Sequence, residues 1–122
     1  MPKNKKLILC VDDNRDSVSF LVEWLKLKEY EVLAATSCAK ARSILQQHQV
    51  ALSIIDVRLD DCDGFDLCKD IQAISPTTKA VLYSGDTRPE IEHKALAVGA
   101  KAFIRKPIDL HHVTTLVEEL LS

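Results

Sequence analysis

The stretch Ala51-Leu52-Ser53-Ile54-Ile55-Asp56 is an almost continuous apolar run that stops at a carboxylate. Apolar runs of about four to eight residues are typical of strands that are buried on both faces of a parallel sheet. An unpaired charge directly after such a strand would be costly to bury, so Asp56 needs a partner. The stretch therefore predicts a central strand with a functional acidic group at its carboxyl end.

Four similar short runs lie on either side of this stretch, at residues 6–11, 32–35, 80–84 and 102–105. Between the runs, apolar residues recur at the i, i+3, i+4, i+7 spacing of amphipathic helices. Strands that alternate with helices imply right-handed crossovers and a parallel sheet with helices on both faces. We therefore predict an α/β fold, a doubly wound five-stranded parallel sheet with five helices.

The length and charge of the chain limit what it can be. With 122 residues, of which 47% are apolar and 28% charged, it can form one core but not two domains, and we predict a single domain over residues 1–122. The net charge of −2 argues against a domain that binds nucleic acid directly, because such domains carry an excess of Lys and Arg. No apolar run approaches the roughly 20 residues that span a bilayer, and the start does not resemble a signal peptide. We expect a cytoplasmic protein without membrane contact.

The cysteines show no recognisable pairing in the sequence. Cys10, Cys38, Cys62 and Cys68 match neither a CxxC redox pair nor a set of paired zinc ligands. We expect all four to be free thiols that are mostly buried, which is the usual state of unpaired cysteines.

Polar side chains follow the predicted strands at the points where they end. They are Asp12 and Asp13 after the first strand, Asp56 after the third, Ser84 after the fourth and Lys106 after the fifth. In a doubly wound sheet these ends meet at the edge where ligands bind. Three neighbouring carboxylates would raise one another's pKa values unless a cation joined them. Mg²⁺ suits this role, because it prefers oxygen ligands and is satisfied by a few carboxylates, waters and a phosphate oxygen.

A carboxylate beside Mg²⁺ and a lysine can act as a nucleophile toward a phosphoryl group, which gives an acyl phosphate. The metal and Lys106 would neutralise the charge on the phosphoryl oxygens, which is most of what phosphoryl transfer requires of a protein. Ser84 would donate a hydrogen bond to one of those oxygens. The residues at the strand ends thus predict phosphoryl transfer to Asp56.

Over essentially its whole length, the sequence resembles the receiver domain of two-component response regulators. The matching features are Asp12-Asp13, Asp56, Asp63-Gly64, Ser84, Phe103 and Lys106-Pro107, in this order along the chain. The resemblance implies a flavodoxin-like (βα)5 fold similar to CheY, with the strand order 2-1-3-4-5.

The resemblance also implies a role for each of these residues. Asp56 would accept a phosphoryl group from a histidine kinase or a histidine phosphotransfer protein. Asp12, Asp13, Asp56 and the backbone carbonyl of Arg58 would bind Mg²⁺. Lys106 would pair with the phosphate and would be followed by a cis bond to Pro107.

Ser84 and Phe103 would form a switch pair. Their movement would reshape the face made by the fourth helix, the fifth strand and the fifth helix, and so control an output domain or a partner protein. The same face is a candidate for a homodimer that forms after phosphorylation. Such a protein catalyses only its own phosphorylation and dephosphorylation and is not an enzyme that acts on a small molecule.

Two departures from the family pattern, and one pair of charges near Asp56, lead to further expectations. Asp60 stands where a proline is frequent, so the loop after Asp56 is unusually acidic. Lys28-Glu29-Tyr30 lacks the glycine that is usual at a left-handed helix end, which should cost about 1 kcal/mol. Arg58 and Asp86 have opposite charges and follow Asp56 and Ser84 by two residues. We predict that this pair approaches over Asp56 and shields the acyl phosphate from water, the alternative being two unrelated surface charges.

Three alternative functions are open at this point. The first is an interaction module on the same fold that works without phosphorylation. The second is a small hydrolase or phosphatase, although there is no DxD nucleophile-acid pair around Asp56. The third is a flavin-binding flavodoxin, although Asp12-Asp13 stand where a hydroxyl-rich phosphate cradle would be needed.

Overall fold

The computed structural model describes residues 6–122 and contains five strands and five helices in strict alternation. In chain order the elements are β1 (Leu7–Val11), α1 (Arg15–Leu27), β2 (Glu31–Ala35), α2 (Cys38–Gln47), β3 (Val50–Asp56), α3 (Gly64–Ile74), β4 (Lys79–Ser84), α4 (Pro89–Ala97), β5 (Ala102–Arg105) and α5 (Leu110–Leu121). All five strands that we predicted are present, with bounds shifted by one residue at most.

The strands form one parallel sheet in the order β2-β1-β3-β4-β5. The order reverses between β1 and β3, which is where a doubly wound sheet opens a ligand crevice. The register pairs Val11 with Ile55 and Asp56 with Tyr83. The ends of β1, β3 and β4 are therefore level, and the predicted fold and strand order are confirmed.

The sheet is buried on both faces because alternate residues of each strand enter two separate clusters. Leu9 and Ile55 face one cluster, which α2, α3 and α4 cover. Cys10 and Ile54 face the other, which α1 and α5 cover. This two-sided burial explains why β1, β3 and β4 read as continuous apolar runs.

The helix ends follow from local side-chain chemistry. Four helices are preceded by a residue whose side chain accepts hydrogen bonds from backbone N–H groups of the first turn. These residues are Asn14, Ser37, Asp63 and Asp109. After α1, Glu29 has a φ of 70°, which confirms the expected left-handed conformation of a non-glycine residue.

No described helix is both long and apolar enough to cross a membrane.

The expectation of four free thiols is wrong. Cys38 and Cys62 form a disulfide with a Cα–Cα distance of 6.1 Å, whereas Cys10 and Cys68 are free and buried. The two bonded cysteines are 24 residues apart, and the fold brings them together because the loop after β3 returns over the first turn of α2. The spacing of the cysteines along the chain therefore could not predict this disulfide.

Candidate functional site

Three carboxylates meet at the carboxyl edge of the sheet. Asp12 and Asp13 follow β1 and Asp56 ends β3, and one oxygen of each lies within 4.8 Å of the others. Asp12 and Asp56 are buried, whereas Asp13 is partly exposed. The level ends of the two neighbouring strands produce this arrangement, and the sequence-predicted metal ligands are brought together.

The electrostatics of these carboxylates favour a cation at this point. Burial raises the pKa of Asp56 and outweighs the opposing effects of Lys106 and of the Arg58 N–H. Burial also raises the pKa of Asp13, with help from the carboxyl of Asp60 and the charges of Asp12 and Asp56. Carboxylates that are forced together and partly desolvated are suitable ligands for a hard divalent ion. The donor set therefore fits Mg²⁺, and Asp60 lies beside it as a fourth acidic group.

Asp56 is held from two sides. Lys106 Nζ donates to Asp56 Oδ2 at 2.9 Å, and the Arg58 backbone N–H donates to Oδ1 at 3.1 Å. The Lys106 N–H in turn donates to the Ser84 carbonyl at 2.9 Å, and the Lys106-Pro107 bond is cis as we expected. Lys106 thus lies beside the carboxylate that we predicted as nucleophile.

A pocket of 310 Å³ lies above Asp56. Its lining consists of Asp56, Arg58, Ser84, Gly85, Asp86 and Lys106. Three of these are the residues that the sequence predicted for phosphoryl transfer, and the pocket offers a carboxylate, a hydroxyl and an ammonium group to one bound group. Phe103, the second residue of the predicted switch pair, is partly buried on β5, two residues before the partner of Ser84 in the sheet register.

Arg58 and Asp86 both line this pocket, yet Asp86 has a different ionic partner. Among the described residues, the ion pair of Asp86 is with Arg88, at 2.7 Å, and not with Arg58. Hydrogen bonds from Arg88 lower the pKa of Asp86 to about 2. Arg58 forms no ion pair with Asp86 because Arg88, only two residues away, occupies the carboxylate, but the charge of Arg58 also contributes to the lowered pKa of Asp86.

Sequence reasoning missed Tyr83. This fully buried residue of β4 donates its hydroxyl proton to Asp12 Oδ2 at 2.7 Å, and Lys106 Nζ lies 5.1 Å from the centre of its ring. Tyr83 therefore contacts both Asp12, a predicted metal ligand, and Lys106, the predicted phosphate ligand. The available signal was a tyrosine inside an apolar strand, since a buried tyrosine hydroxyl needs a partner.

The close approach of α3 to Asp56 explains Gly64. A Cβ atom at this position would lie 2.4 Å from the Asp56 carbonyl oxygen, so only glycine fits without a shift of the backbone. The sequence identified Gly64 as part of a pattern, but the physical reason appears only in the fold.

Comparison with known proteins places the chain in a family. The family model described as "Response regulator receiver domain" matches residues 8–118. The chain belongs to this family. This match confirms the family resemblance that the sequence indicated. Receiver domains are regulatory modules of two-component systems rather than conventional enzymes.

Longer regulatory proteins are among the proteins that this chain is similar to. The response regulator protein PilR of Pseudomonas aeruginosa is 31% identical over 99% of this chain, which covers 27% of PilR. The uncharacterized transcriptional regulatory protein YesN of Bacillus subtilis is 27% identical over 94% of this chain, which covers 32% of YesN. The chain thus spans about a third or less of the length of these two relatives.

Solved structures agree with the fold. A response regulator receiver protein from Pseudomonas putida is 30% identical with a TM-score of 0.87, covering 95% of this chain and 98% of that one. A two-component response regulator from Clostridium difficile is 25% identical with a TM-score of 0.92, covering 96% of both chains. The receiver fold is therefore shared over nearly the whole length.

Proposed function

We propose that this receiver domain accepts a phosphoryl group on Asp56, with Mg²⁺, from a histidine kinase or a histidine phosphotransfer protein. The observation that carries the proposal is the buried Asp56 carboxylate, 2.9 Å from Lys106 Nζ and within 4.8 Å of the Asp12 and Asp13 carboxylates. A buried carboxylate beside a lysine at the wall of a pocket, with two further carboxylates close by, is an arrangement that suits a phosphoacceptor assisted by a divalent metal.

Asp12, Asp13, Asp56 and the backbone carbonyl of Arg58 would hold the metal. When bound, Mg²⁺ would offset the negative charge of the phosphoryl oxygens during transfer. An Asp56 oxygen attacks phosphorus, an O–P bond forms and the P–N bond to the donor histidine breaks. The electrons of that bond leave with the imidazole, which takes up a proton. During the transfer, Lys106 exchanges its ion pair with Asp56 for one with the phosphoryl oxygens and so stabilises their negative charge.

Ser84 and Phe103 would then couple the phosphoryl group to the surface. The Ser84 hydroxyl is buried at the pocket wall and accepts the Asp86 N–H at 3.0 Å. A phosphoryl group adds about −1.5 to −2 charges and strong acceptor oxygens, toward which Ser84 can turn its hydroxyl proton. Phe103 lies on the neighbouring strand, and its inward turn would change the face of α4, β5 and α5.

That face would act on something outside the described fold. Because the curated relatives are much longer than this chain, we propose that residues 1–122 form the receiver unit and that an output domain or a partner protein reads its state. The unit would work in the cytoplasm, without direct contact to nucleic acid or membrane, and the α4-β5-α5 face would also serve a homodimer formed after phosphorylation.

Acetyl phosphate and Mg²⁺ test the phosphoacceptor by intact-protein mass spectrometry. We expect one added phosphoryl group, lost in Asp56→Asn and after chelation of Mg²⁺. Asp66→Asn is the matched control, because Asp66 is an exposed acid in the first turn of α3, away from the pocket. A shift that persists in Asp56→Asn would contradict the assignment, and the absence of any shift would favour the interaction module that works without phosphorylation.

A further inference from the structure

The Cys38–Cys62 disulfide joins the wall of the functional site to a neighbouring helix. Cys38 is the first residue of α2 and is fully buried, whereas Cys62 lies in the loop between β3 and α3 and is partly exposed. We call residues 57–63 the acceptor loop, because it begins directly after Asp56. Nothing in the proposed phosphoryl chemistry uses these two sulfur atoms.

A second contact holds the acceptor loop at the same place. Asp61 Oδ1 accepts the Cys38 N–H at 2.8 Å, and Oδ2 accepts the Ala39 N–H at 3.1 Å. These hydrogen bonds do not depend on the sulfur–sulfur bond. They would keep the two cysteines close when both are thiols, so that the bond could form again after reduction.

The acceptor loop carries groups that matter for the metal site. Arg58 donates its backbone N–H to Asp56 and would supply its backbone carbonyl to the proposed Mg²⁺ site, and Asp60 lies beside Asp13. Movement of the loop would therefore displace two groups at the site. The disulfide ties the loop to α2, which packs on the sheet and does not carry the site.

Cys62 is the accessible end of the pair. It lines a surface groove of 660 Å³ together with Arg58 and Asp86, whereas Cys38 is shielded below it. Thiol–disulfide exchange requires access to one sulfur, and the second cysteine can then resolve the mixed disulfide. The pair thus has an attacking and a resolving member.

We propose that Cys38 and Cys62 are a reversible redox pair whose disulfide holds the acceptor loop in its metal-binding position, so that oxidation tightens Mg²⁺ binding and speeds phosphorylation. The second half of this inference rests on the proposed function. In a reducing cytoplasm, disulfides are usually transient and redox-sensing rather than permanent. The arrangement therefore adds a redox input to the receiver domain.

The redox step balances with a small-molecule disulfide as oxidant. The Cys62 thiol loses its proton and attacks one sulfur of the oxidant, whose other sulfur leaves as a thiolate. The Cys38 thiolate then attacks Cys62 Sγ in this mixed disulfide and releases the second thiolate. Two protein thiols lose two electrons and two protons, and the oxidant becomes two thiols.

The first measurement is a redox titration of the whole chain in mixtures of oxidised and reduced dithiothreitol. Free thiols are alkylated and located by peptide mass mapping. We expect the Cys38–Cys62 bond to appear and disappear reversibly, while the buried Cys10 and Cys68 stay thiols at every ratio. A bond that never forms, or that cannot be reduced in the folded protein, would overturn the inference.

The second measurement compares Mg²⁺ affinity by calorimetry and the rate of phosphorylation by acetyl phosphate in both redox states. We expect the oxidised form to bind Mg²⁺ roughly tenfold more tightly than the reduced form. Affinity losses of this size are typical when a group that holds the metal ligands in place is removed. Cys62→Ser should behave like the reduced form under both conditions, as should the double variant with Cys38→Ser. Cys68→Ala is the matched control and should keep the redox difference.

The outcomes separate this inference from the proposed function. Affinities that agree within about twofold, or that are tighter in the reduced form, would overturn the redox role even if Asp56 is phosphorylated. If neither form accepts a phosphoryl group, the proposed function fails, and the difference in Mg²⁺ affinity still decides whether the disulfide controls the loop.

Discussion

The two loops that border the pocket at Asp56 are held in opposite ways. The acceptor loop after β3 is fixed by contacts that reach far along the chain: the Cys38–Cys62 bond and the Asp61 hydrogen bonds to α2. The loop after β4, residues 85–88, is held by its own neighbours, with the Asp86 N–H on Ser84 Oγ and the Asp86 carboxylate on Arg88.

This difference bears on how a receiver domain can switch. A loop with long-range contacts cannot move without breaking them, whereas local contacts move together with the loop that contains them. The acceptor loop would therefore be a fixed platform for Asp56 and the proposed metal ion. The loop after β4 would be free to follow Ser84 if, as proposed, a phosphoryl group drew its hydroxyl inward.

Alanine at Gly64, the helix residue that directly follows the acceptor loop, and at Gly85 of the loop after β4 should give the largest contrast. A Cβ at Gly64 would lie 2.4 Å from the Asp56 carbonyl oxygen, whereas a Cβ at Gly85 would meet nothing closer than 3.9 Å. We expect Gly64→Ala to lower the free energy of unfolding by about 1–3 kcal/mol. Gly85→Ala should change it by less than about 0.5 kcal/mol. Equal losses in urea denaturation would show that the two loops are equally constrained.

The lifetime of the phosphoryl group tests whether the loops act together. Arg58 belongs to the acceptor loop and lines the pocket, and we propose that it shields the acyl phosphate from water. Arg58→Ala should shorten the dephosphorylation half-life about twofold, as expected for one exposed charge contact of about 0.5 kcal/mol.

Arg88→Ala is the control for this experiment. It removes the local partner of Asp86 and leaves that carboxylate free to turn toward Arg58, so the half-life should be unchanged or longer. An unchanged half-life in Arg58→Ala would rule out the shielding role.

The smallest expected effect concerns pH and salt. The N–H groups of Cys38 and Ala39 lower the pKa of Asp61, and Arg88 lowers the pKa of Asp86 to about 2. Both carboxylates therefore stabilise the fold above their ordinary pKa near 3.8. Asp86 loses this contribution as the pH falls from about 4 to about 2, and Asp61 loses its own as the pH falls below about 4.

Salt should separate the two carboxylates. In 1 M salt the screening length is about 3 Å, which weakens the exposed Asp86–Arg88 pair more than direct hydrogen bonds from the backbone. We expect the pKa of Asp86 to rise toward 3.8 in 1 M NaCl and that of Asp61 to move less, in carboxyl NMR titrations. Equal shifts would mean that both loops rely on surface charge.

Much of the fold and of the site could be predicted from the sequence. Apolar runs such as residues 51–56 predicted the strands, because burial on both faces leaves no room for alternation. Asp12, Asp56 and Lys106 could be assigned to one edge, since the carboxyl ends of parallel strands all lie at the same side of a sheet. The family resemblance supplied the strand order and the cis bond at Pro107, and both are confirmed.

What the sequence by itself determined is which side chains reach the carboxyl edge of the sheet, because strand polarity orders them whatever the loops do. Only the tertiary structure decided their partners: Tyr83 with Asp12, Asp86 with Arg88 rather than Arg58, and Cys38 with Cys62. These contacts depend on the path of each loop over its neighbours. That path is set by how the side chains pack and not by the spacing of the residues along the chain.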